Sequence, residues 1–253
     1  MARIVGADTA YPVTNAIIDK AAAAMQAMPS FWGRYFTSRR TTGTVEYRHA
    51  VENAILAPRG IRVLPIARQT NDVSGDSATG FNDGAANADD LIATFGAEYL
   101  AAHGSGVCVF LDVEGSGASH LSSDYYAGWV VGLTRTGVPV KFLPCVYGIS
   151  GDAVTWTALA RAVANGVACH GVWMAHPVQT AVEPVAYNPA AATPSPDPGA
   201  PILLWQYMFA RDGVAVDRNQ VNPAIDAQRD LLQHLVLPPG DIRVAQSAAI
   251  PVA

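Results

Sequence analysis

Asp112 and Glu114 stand one residue apart at the end of an apolar run, "VFLDVEG" at residues 109–115. Side chains alternate across a β-strand, so both acids point to the same side. An unpaired carboxylate is costly to bury, so we expect the pair where water and polar groups reach it. Two acids at one site can divide the work, because the acid in drier surroundings keeps a proton to donate while the other stays ionised. Cleavage of a glycosidic bond uses such a pair.

Two further acids occupy comparable positions. Asp8 closes the first strand-like segment, in "IVGADTAYP", and Asp217 lies in the last one, in "GVAVDRN". The first and last strands of a closed barrel are neighbours, and the fourth lies across the mouth, so all four carboxylates would share one cleft. The alternatives are helix capping, pairing with arginine, and a Mg²⁺ or Ca²⁺ site. Because no Asp/Asn-rich calcium loop occurs, we predict no metal and no cofactor.

Aromatic and polar side chains on the later strands have the chemistry to hold a sugar, which stacks on aromatic faces and hydrogen bonds to amides. Alternation puts Trp205 and Tyr207 on one face and Gln206 on the other, so the strand cannot present all three to one cleft. Packing between barrel and helices is the alternative for each aromatic. For Arg34, in "FWGRYFTS", an ion pair with Asp8 on the adjacent strand and a substrate contact both remain open. The predicted substrate-binding residues are Tyr147, Trp173, His176, Trp205, Gln206, Tyr207 and Arg34.

These residues lie in a chain where short β-type runs alternate with longer helical patterns, as in a parallel sheet with crossover helices. No Gly-x-Gly-x-x-Gly turn follows the first strand, which favours a closed barrel over an open doubly wound sheet. The sequence therefore predicts an α/β fold, a single (β/α)8 TIM barrel. The predicted strands span residues 3–8, 31–37, 61–67, 107–114, 140–147, 171–176, 202–208 and 214–218.

The predicted domain organisation is one barrel over residues 1–238 and a tail over 239–253. The Pro- and Ala-rich segment 188–201 is predicted to be a long loop, and a last helix is predicted at about 222–236. We expect Thr14 or Asn15 to cap the first helix.

The composition restricts the classes of function. Of the 253 residues, 50% are hydrophobic and 15% are charged, with a net charge of −5. Scattered basic residues argue against nucleic acid as a partner, and no apolar run is long enough for a membrane span. The three cysteines lie in apolar strand-like segments and are predicted to be buried free thiols. We expect a monomer.

The N-terminal segment "ARIVGADTAYP" lacks the basic start, apolar stretch and cleavage site of a secretory signal. We therefore expect either a cytoplasmic protein or one that reaches the cell wall by another export route or after removal of a signal.

The motifs "GADTAYP", "FWGRYF", "FLDVEG", "GVWMAHP", "LLWQYM" and "VAVDRN" occur in this order over about residues 3–236. This ordered set resembles the glycoside-hydrolase-like barrel family of unknown function found in actinobacteria and their phages. It is more distantly similar to the lysozymes of glycoside hydrolase family 25.

The resemblance to the lysozymes implies roles for individual residues. It implies that Glu114 is the proton donor and that Asp112 stabilises the developing oxocarbenium ion or orients the substrate N-acetyl group. Asp8 and Asp217 match the acids of the family's first and last strands. The implied substrate is peptidoglycan, cleaved between N-acetylmuramic acid and N-acetylglucosamine.

Three functions follow from the sequence as hypotheses. The leading one is a glycoside hydrolase acting on peptidoglycan or a related N-acetylated polysaccharide. The second is a glycan-binding barrel that lacks turnover, and the third is a barrel enzyme of other chemistry, such as a metal-dependent lyase.

Overall fold

The structure is a computed structural model that describes residues 3–37, 47–68, 73–114, 119–178, 180–211 and 213–240. Within these residues, eight strands form a closed barrel in which each strand is hydrogen bonded to its neighbours in chain order. The predicted α/β barrel is therefore confirmed. The strands are β1 (Val5–Asp8), β2 (Phe31–Thr37), β3 (Arg62–Arg68), β4 (Val107–Val113), β5 (Phe142–Ile149), β6 (Gly171–Ala175), β7 (Ile202–Met208) and β8 (Asp217–Val221).

The eighth strand departs from the regular barrel pattern. Strands β1 to β7 run parallel, whereas β8 is antiparallel to both β7 and β1. A parallel return needs a long crossover, but the described residues of 209–216, which are all except residue 212, contain no helix, so the chain reverses its direction. The predicted strand at 214–218 is thus misplaced. Asp217 opens β8 and pairs with Asp8 in the register, so it still lies at the mouth.

Helices cover the outside of the barrel. The described helices are α1 (Asn15–Met25), α2 (His49–Leu56), α3 (Ser77–Phe95), α4 (Ala97–Ala101), α5 (Ser123–Leu133), α6 (Ala153–Ala164), α7 (Pro189–Ala192) and α8 (Ala227–Asp230). Four of them, α1, α3, α5 and α6, are capped by the side chains of Thr14, Asp76, Ser122 and Asp152, which accept hydrogen bonds from backbone N–H groups of the first turn.

Two predicted segments differ in detail. The predicted loop 188–201 contains the short helix α7, and the predicted last helix is only α8 followed by a 3-10 turn, Leu232–His234. Of the predicted tail, residues 239 and 240 are described, and residues 241–253 lie outside the described residues. In the part of the chain that the structure describes, none of the helices is both long and apolar enough to cross a membrane.

The apolar core has two layers, one inside the barrel and one between the barrel and the helices. Helices α3 and α5 approach so closely that a Cβ on Gly80 would lie 2.0 Å from the carbonyl oxygen of Tyr125. This contact fixes the two helices that flank β4, the strand that carries Asp112.

Candidate active site

The structure brings the four predicted acids together at the carboxyl end of the parallel strands. Asp8 ends β1, Asp112 is near the end of β4, Glu114 follows β4, and Asp217 begins the antiparallel β8. The charges of Asp217, Glu114 and Asp112 all act to raise the pKa of Asp8, so the four carboxyl groups are within electrostatic reach of one another. They form one site at the barrel mouth.

Among the acids at the mouth whose pKa is shifted, Asp8 is the most deeply buried. Its side chain is buried, and its Oδ2 accepts a 2.6 Å hydrogen bond from Nδ2 of Asn219. Burial, followed by the charge of Asp217, raises the pKa of Asp8 well above its usual value. Burial therefore favours the protonated form of Asp8, and its contact with Asn219 links the mouth to the barrel interior.

Glu114 is partly buried beside Asp112. Burial raises the pKa of Glu114 to about 8, and the charges of Asp112 and Asp217 act in the same direction. A hydrogen bond with Tyr147 and the positive charge of Arg68 oppose the rise. Glu114 consequently keeps its proton at neutral pH, as a general acid must.

Asp112 and Asp217 are the carboxylates that flank this acid. Oδ1 of Asp112 accepts a hydrogen bond from the backbone N–H of Glu114 at 3.1 Å. Asp217 accepts bonds from Nε2 of Gln206 at 2.7 Å and from the N–H of Ala210 at 2.6 Å. Burial raises the pKa of Asp217 to about 6, and the two hydrogen bonds limit the rise. Between about pH 6 and 8, an ionised Asp217 thus faces a protonated Glu114.

Tyr147, Trp173 and Gln206 lie inside the barrel beneath the acids. The rings of Tyr147 and Trp173 stack at a centroid distance of 4.0 Å, and both side chains are fully buried. The Tyr147 hydroxyl donates to Oε1 of Gln206, and Nε1 of Trp173 donates to Oδ1 of Asn219 at 2.9 Å. In this geometry the two rings stack on each other and hold the amides that contact Asp217 and Asp8.

The other two aromatic residues of β7 face away from the mouth. Nε1 of Trp205 donates to the carbonyl oxygen of His176, and the Tyr207 hydroxyl donates to Glu183. Both rings pack against the segment that follows β6. The prediction that they line the cleft is therefore corrected: alternation along β7 gives the inner face to Gln206 and the outer face to Trp205 and Tyr207.

Arg34 also lies outside the barrel wall. Its guanidinium forms a bidentate ion pair with Glu52 at 2.8 and 3.0 Å and donates to the carbonyl oxygen of Thr9. Arg34 and Glu52 are fully buried, so the predicted pairing with Asp8 and the predicted substrate contact are both corrected. Gly33, not Arg34, shares the inner face with Asp8, and a Cβ on Gly33 would lie 2.6 Å from the Cβ of Asp8.

His176 lies at the rim of the mouth, just beyond β6. Its side chain is exposed, and its Nδ1 is 2.7 Å from Oγ of Ser150. It is thus accessible to a substrate that enters from the β5 and β6 side.

Sequence reasoning missed Tyr35, Arg68 and Asn219. The Arg68 guanidinium lies 5.3 Å from the centre of the Tyr35 ring, and Arg68 pairs in the register with Asp112. Burial, followed by the charges of Asp112, Asp8 and Glu114, raises the pKa of Tyr35. Tyr35 and Arg68 were detectable from their positions at the carboxyl ends of β2 and β3.

Among the described residues, no group of three or more His, Cys, Asp or Glu side chains has an arrangement that could hold a metal ion. Cys108 and Cys145 are buried free thiols, and Cys169 is a partly buried one.

Known structures share this fold. The chain is similar to an uncharacterized protein from B. stearothermophilus, with a TM-score of 0.69 and 24% identity over 92% of this chain and 99% of that one. It is similar to a muramidase from Acremonium alcalophilum, with a TM-score of 0.54 and 16% identity over 92% and 99% of the two chains. The spore cortex lytic enzyme SleM of Clostridium perfringens gives a TM-score of 0.49 at 15% identity, over 89% and 69%.

A comparison with family models and one with curated proteins both gave no match. At these identities the similarity to solved structures establishes the fold, an α/β barrel that is also the fold of a muramidase.

Proposed function

We propose that the protein is a glycoside hydrolase that cleaves peptidoglycan or a related N-acetylated polysaccharide at the barrel mouth. The observation that carries the proposal is the state of Glu114: a partly buried carboxyl group with a pKa near 8, beside two other acids. A carboxylic acid that keeps its proton at neutral pH beside an ionisable partner is the combination that glycosidic cleavage requires.

The residues divide the reaction as follows. Glu114 donates its proton to the leaving glycosidic oxygen, and a water molecule then adds to the anomeric carbon and returns a proton to the Glu114 carboxylate. Asp112, which accepts the N–H of Glu114, carries the negative charge that supports the oxocarbenium-like transition state. Asp217 adds negative charge from the opposite wall, and burial raises the pKa of Asp8, which favours the protonated form of Asp8 at the base of the site.

Two observations support peptidoglycan as the substrate. One protein that shares the fold is a muramidase, although the identity is only 16%. The ordered sequence motifs are also distantly similar to those of the family 25 lysozymes, whose substrate is peptidoglycan. A wall substrate also implies that the protein acts outside the cytoplasm of the cell that makes it.

The test is reducing-end release from purified peptidoglycan between pH 4 and 8. Glu114→Gln removes the proton donor with little change of shape, and Glu98→Gln is the matched control because Glu98 is exposed on α4. We expect release by the wild type and by the control, and at least a hundredfold loss in Glu114→Gln.

Equal release by wild type and Glu114→Gln would refute the assignment of the acid. If neither releases reducing ends while both bind the insoluble wall, the glycan-binding barrel is the correct function. Loss of activity on treatment with EDTA would favour the metal-dependent alternative.

A further inference from the structure

A second concave site lies at the opposite end of the barrel from the acids. It is a pocket of about 700 Å³ lined by Arg3 and Ile4 before β1, by Tyr187, and by the end of β8 with the residues that follow it. Gln220 at this end of β8 pairs in the register with Val5, the first residue of β1, whereas Asp217 pairs with Asp8 at the mouth. The pocket is therefore separate from the candidate active site.

The topology explains why a pocket forms here. In a regular barrel, helices cover the outer face of the last strands, but β7 leads directly into the antiparallel β8, and only the four-residue α8 follows closely. This end of β8 is consequently bordered by the turn that follows it rather than by a long helix, which leaves a concave space beside it. The resulting volume falls within the range of about 300–1,000 Å³ of small-molecule pockets.

Gln220 lines the pocket and lacks a partner. Its neighbour Asn219 faces the interior and contacts Asp8, so alternation places Gln220 on the outer face. The Gln220 side chain is only 5% exposed, and its Oε1 has no hydrogen-bond partner among the described residues. A buried acceptor without a partner is destabilising by about 1–3 kcal/mol, and a bound N–H or O–H donor would remove that cost.

The charged side chains that line the pocket already have partners within the protein. Arg3 is paired with Glu183 at 2.7 Å, and Asp226 caps α8 by accepting the N–H of Arg229. The rest of the described lining is uncharged and largely apolar, as at Ile4. These features fit a neutral ligand that has both apolar faces and hydrogen-bond donors.

Tyr187 adds an aromatic wall. Its ring is partly exposed and meets the ring of Trp205 edge-on at 5.6 Å, and Trp205 is the register partner of Gln220. An aromatic ring beside an unpaired amide is a combination that recognises sugars, which stack and donate hydrogen bonds at once.

We propose that this pocket binds a neutral N-acetylated saccharide and so forms a second glycan site outside the catalytic mouth. The N-acetyl and hydroxyl groups supply the donor that Oε1 of Gln220 lacks, and the sugar face packs on Tyr187. The choice of an N-acetylated saccharide among neutral ligands rests on the proposed function.

The test is calorimetric titration with the trimer of N-acetylglucosamine, with Glu114→Gln as the background so that the probe is not consumed. Gln220→Leu removes the acceptor, Ala224→Trp blocks the pocket from its exposed rim, and Glu98→Gln is the control because Glu98 is exposed on α4 and does not line the pocket. We expect about tenfold weaker binding in Gln220→Leu, from loss of one hydrogen bond, and loss of this binding event in Ala224→Trp. Glu98→Gln should bind within twofold of the background protein.

Thermal melting of each variant confirms that it is folded. No binding of the trimer, or equal binding by all three variants, would refute the proposal that this pocket binds a saccharide. Because reducing-end release is assayed separately, the two proposals can fail independently: hydrolysis without pocket binding refutes only the second site, and pocket binding without hydrolysis refutes only the enzyme.

Discussion

Replacement of Glu114 by glutamine should make the protein more stable at alkaline pH. The pKa of Glu114 is about 8 in the folded protein, against about 4.5 for the unfolded chain. The folded state therefore binds this proton more tightly, and the stability that the protonated group provides is complete below about pH 4.5. This stability declines as the pH rises through the interval between the two pKa values and is fully lost above about pH 8.

The magnitude follows from the two values. The difference between 4.5 and about 8 corresponds to a loss of about 5 kcal/mol in the free energy of unfolding by pH 9, and of about 3 kcal/mol at pH 7. Glutamine does not ionise, so Glu114→Gln should avoid this loss. In a domain of this size, 5 kcal/mol corresponds to a rise of about 10 °C or more in Tm.

The assay is thermal or urea unfolding of wild type, Glu114→Gln and the surface control Glu98→Gln at intervals from pH 4 to 9. The stability gap between wild type and Glu114→Gln should be small at pH 4 and should widen continuously to pH 9, while Glu98→Gln should follow the wild type. Parallel curves for all three proteins would show that Glu114 is not a buried acid with a raised pKa. The proton-donor role would then lose its physical basis.

Three other predictions concern the mouth, the barrel wall and the second pocket. The pH profile of kcat/KM should be bell-shaped, with limbs near pH 6 for Asp217 and near pH 8 for Glu114. Asp217→Asn should remove the first limb and shift the second to lower pH, because the charge of Asp217 helps raise the pKa of Glu114. A profile with unchanged limbs in Asp217→Asn would contradict this coupling. Glu52→Gln should lower the free energy of unfolding by about 1–3 kcal/mol in urea, since it removes the carboxylate that accepts two charge-assisted hydrogen bonds from the buried Arg34 guanidinium, and a loss under about 1 kcal/mol would disprove that pairing. Gln220→Leu should raise the free energy of unfolding by about 1–3 kcal/mol without ligand, and a clear destabilisation would show that its amide is satisfied.

The strand pattern could be predicted because each of the first seven strands is an apolar run bounded by turn or cap residues. The direction of β8 could not be predicted, because the apolar residues before Asp217 indicate a strand but not its direction, and the missing helix leaves no pattern of its own. The position of Asp217 at the mouth was nevertheless predicted, since the end of a parallel strand and the start of an antiparallel one lie at the same edge of the barrel.

The orientation of side chains was the harder problem. Alternation shows that Trp205 and Gln206 face opposite ways, but it does not show which of them faces inward. The structure resolves this through contacts distant in sequence: Gln206 joins Tyr147 and Asp217, and Trp205 joins the segment after β6. Arg34 was misassigned for the same reason, because its partner Glu52 lies on a helix packed outside the wall.

The acids at the mouth also show how a fold tolerates several carboxyl groups at the ends of buried strands. For Asp8, Glu114 and Asp217, burial is the main cause of the raised pKa, so the protein holds part of this charge as neutral acid near pH 7. Amides of Asn219 and Gln206 then satisfy the oxygens that water does not reach. The burial that enables Glu114 to donate a proton also makes its ionised form destabilising. The pH dependence of stability and the pH range of the proposed reaction therefore have the same cause. Both should change together in every variant that alters the solvation of Glu114.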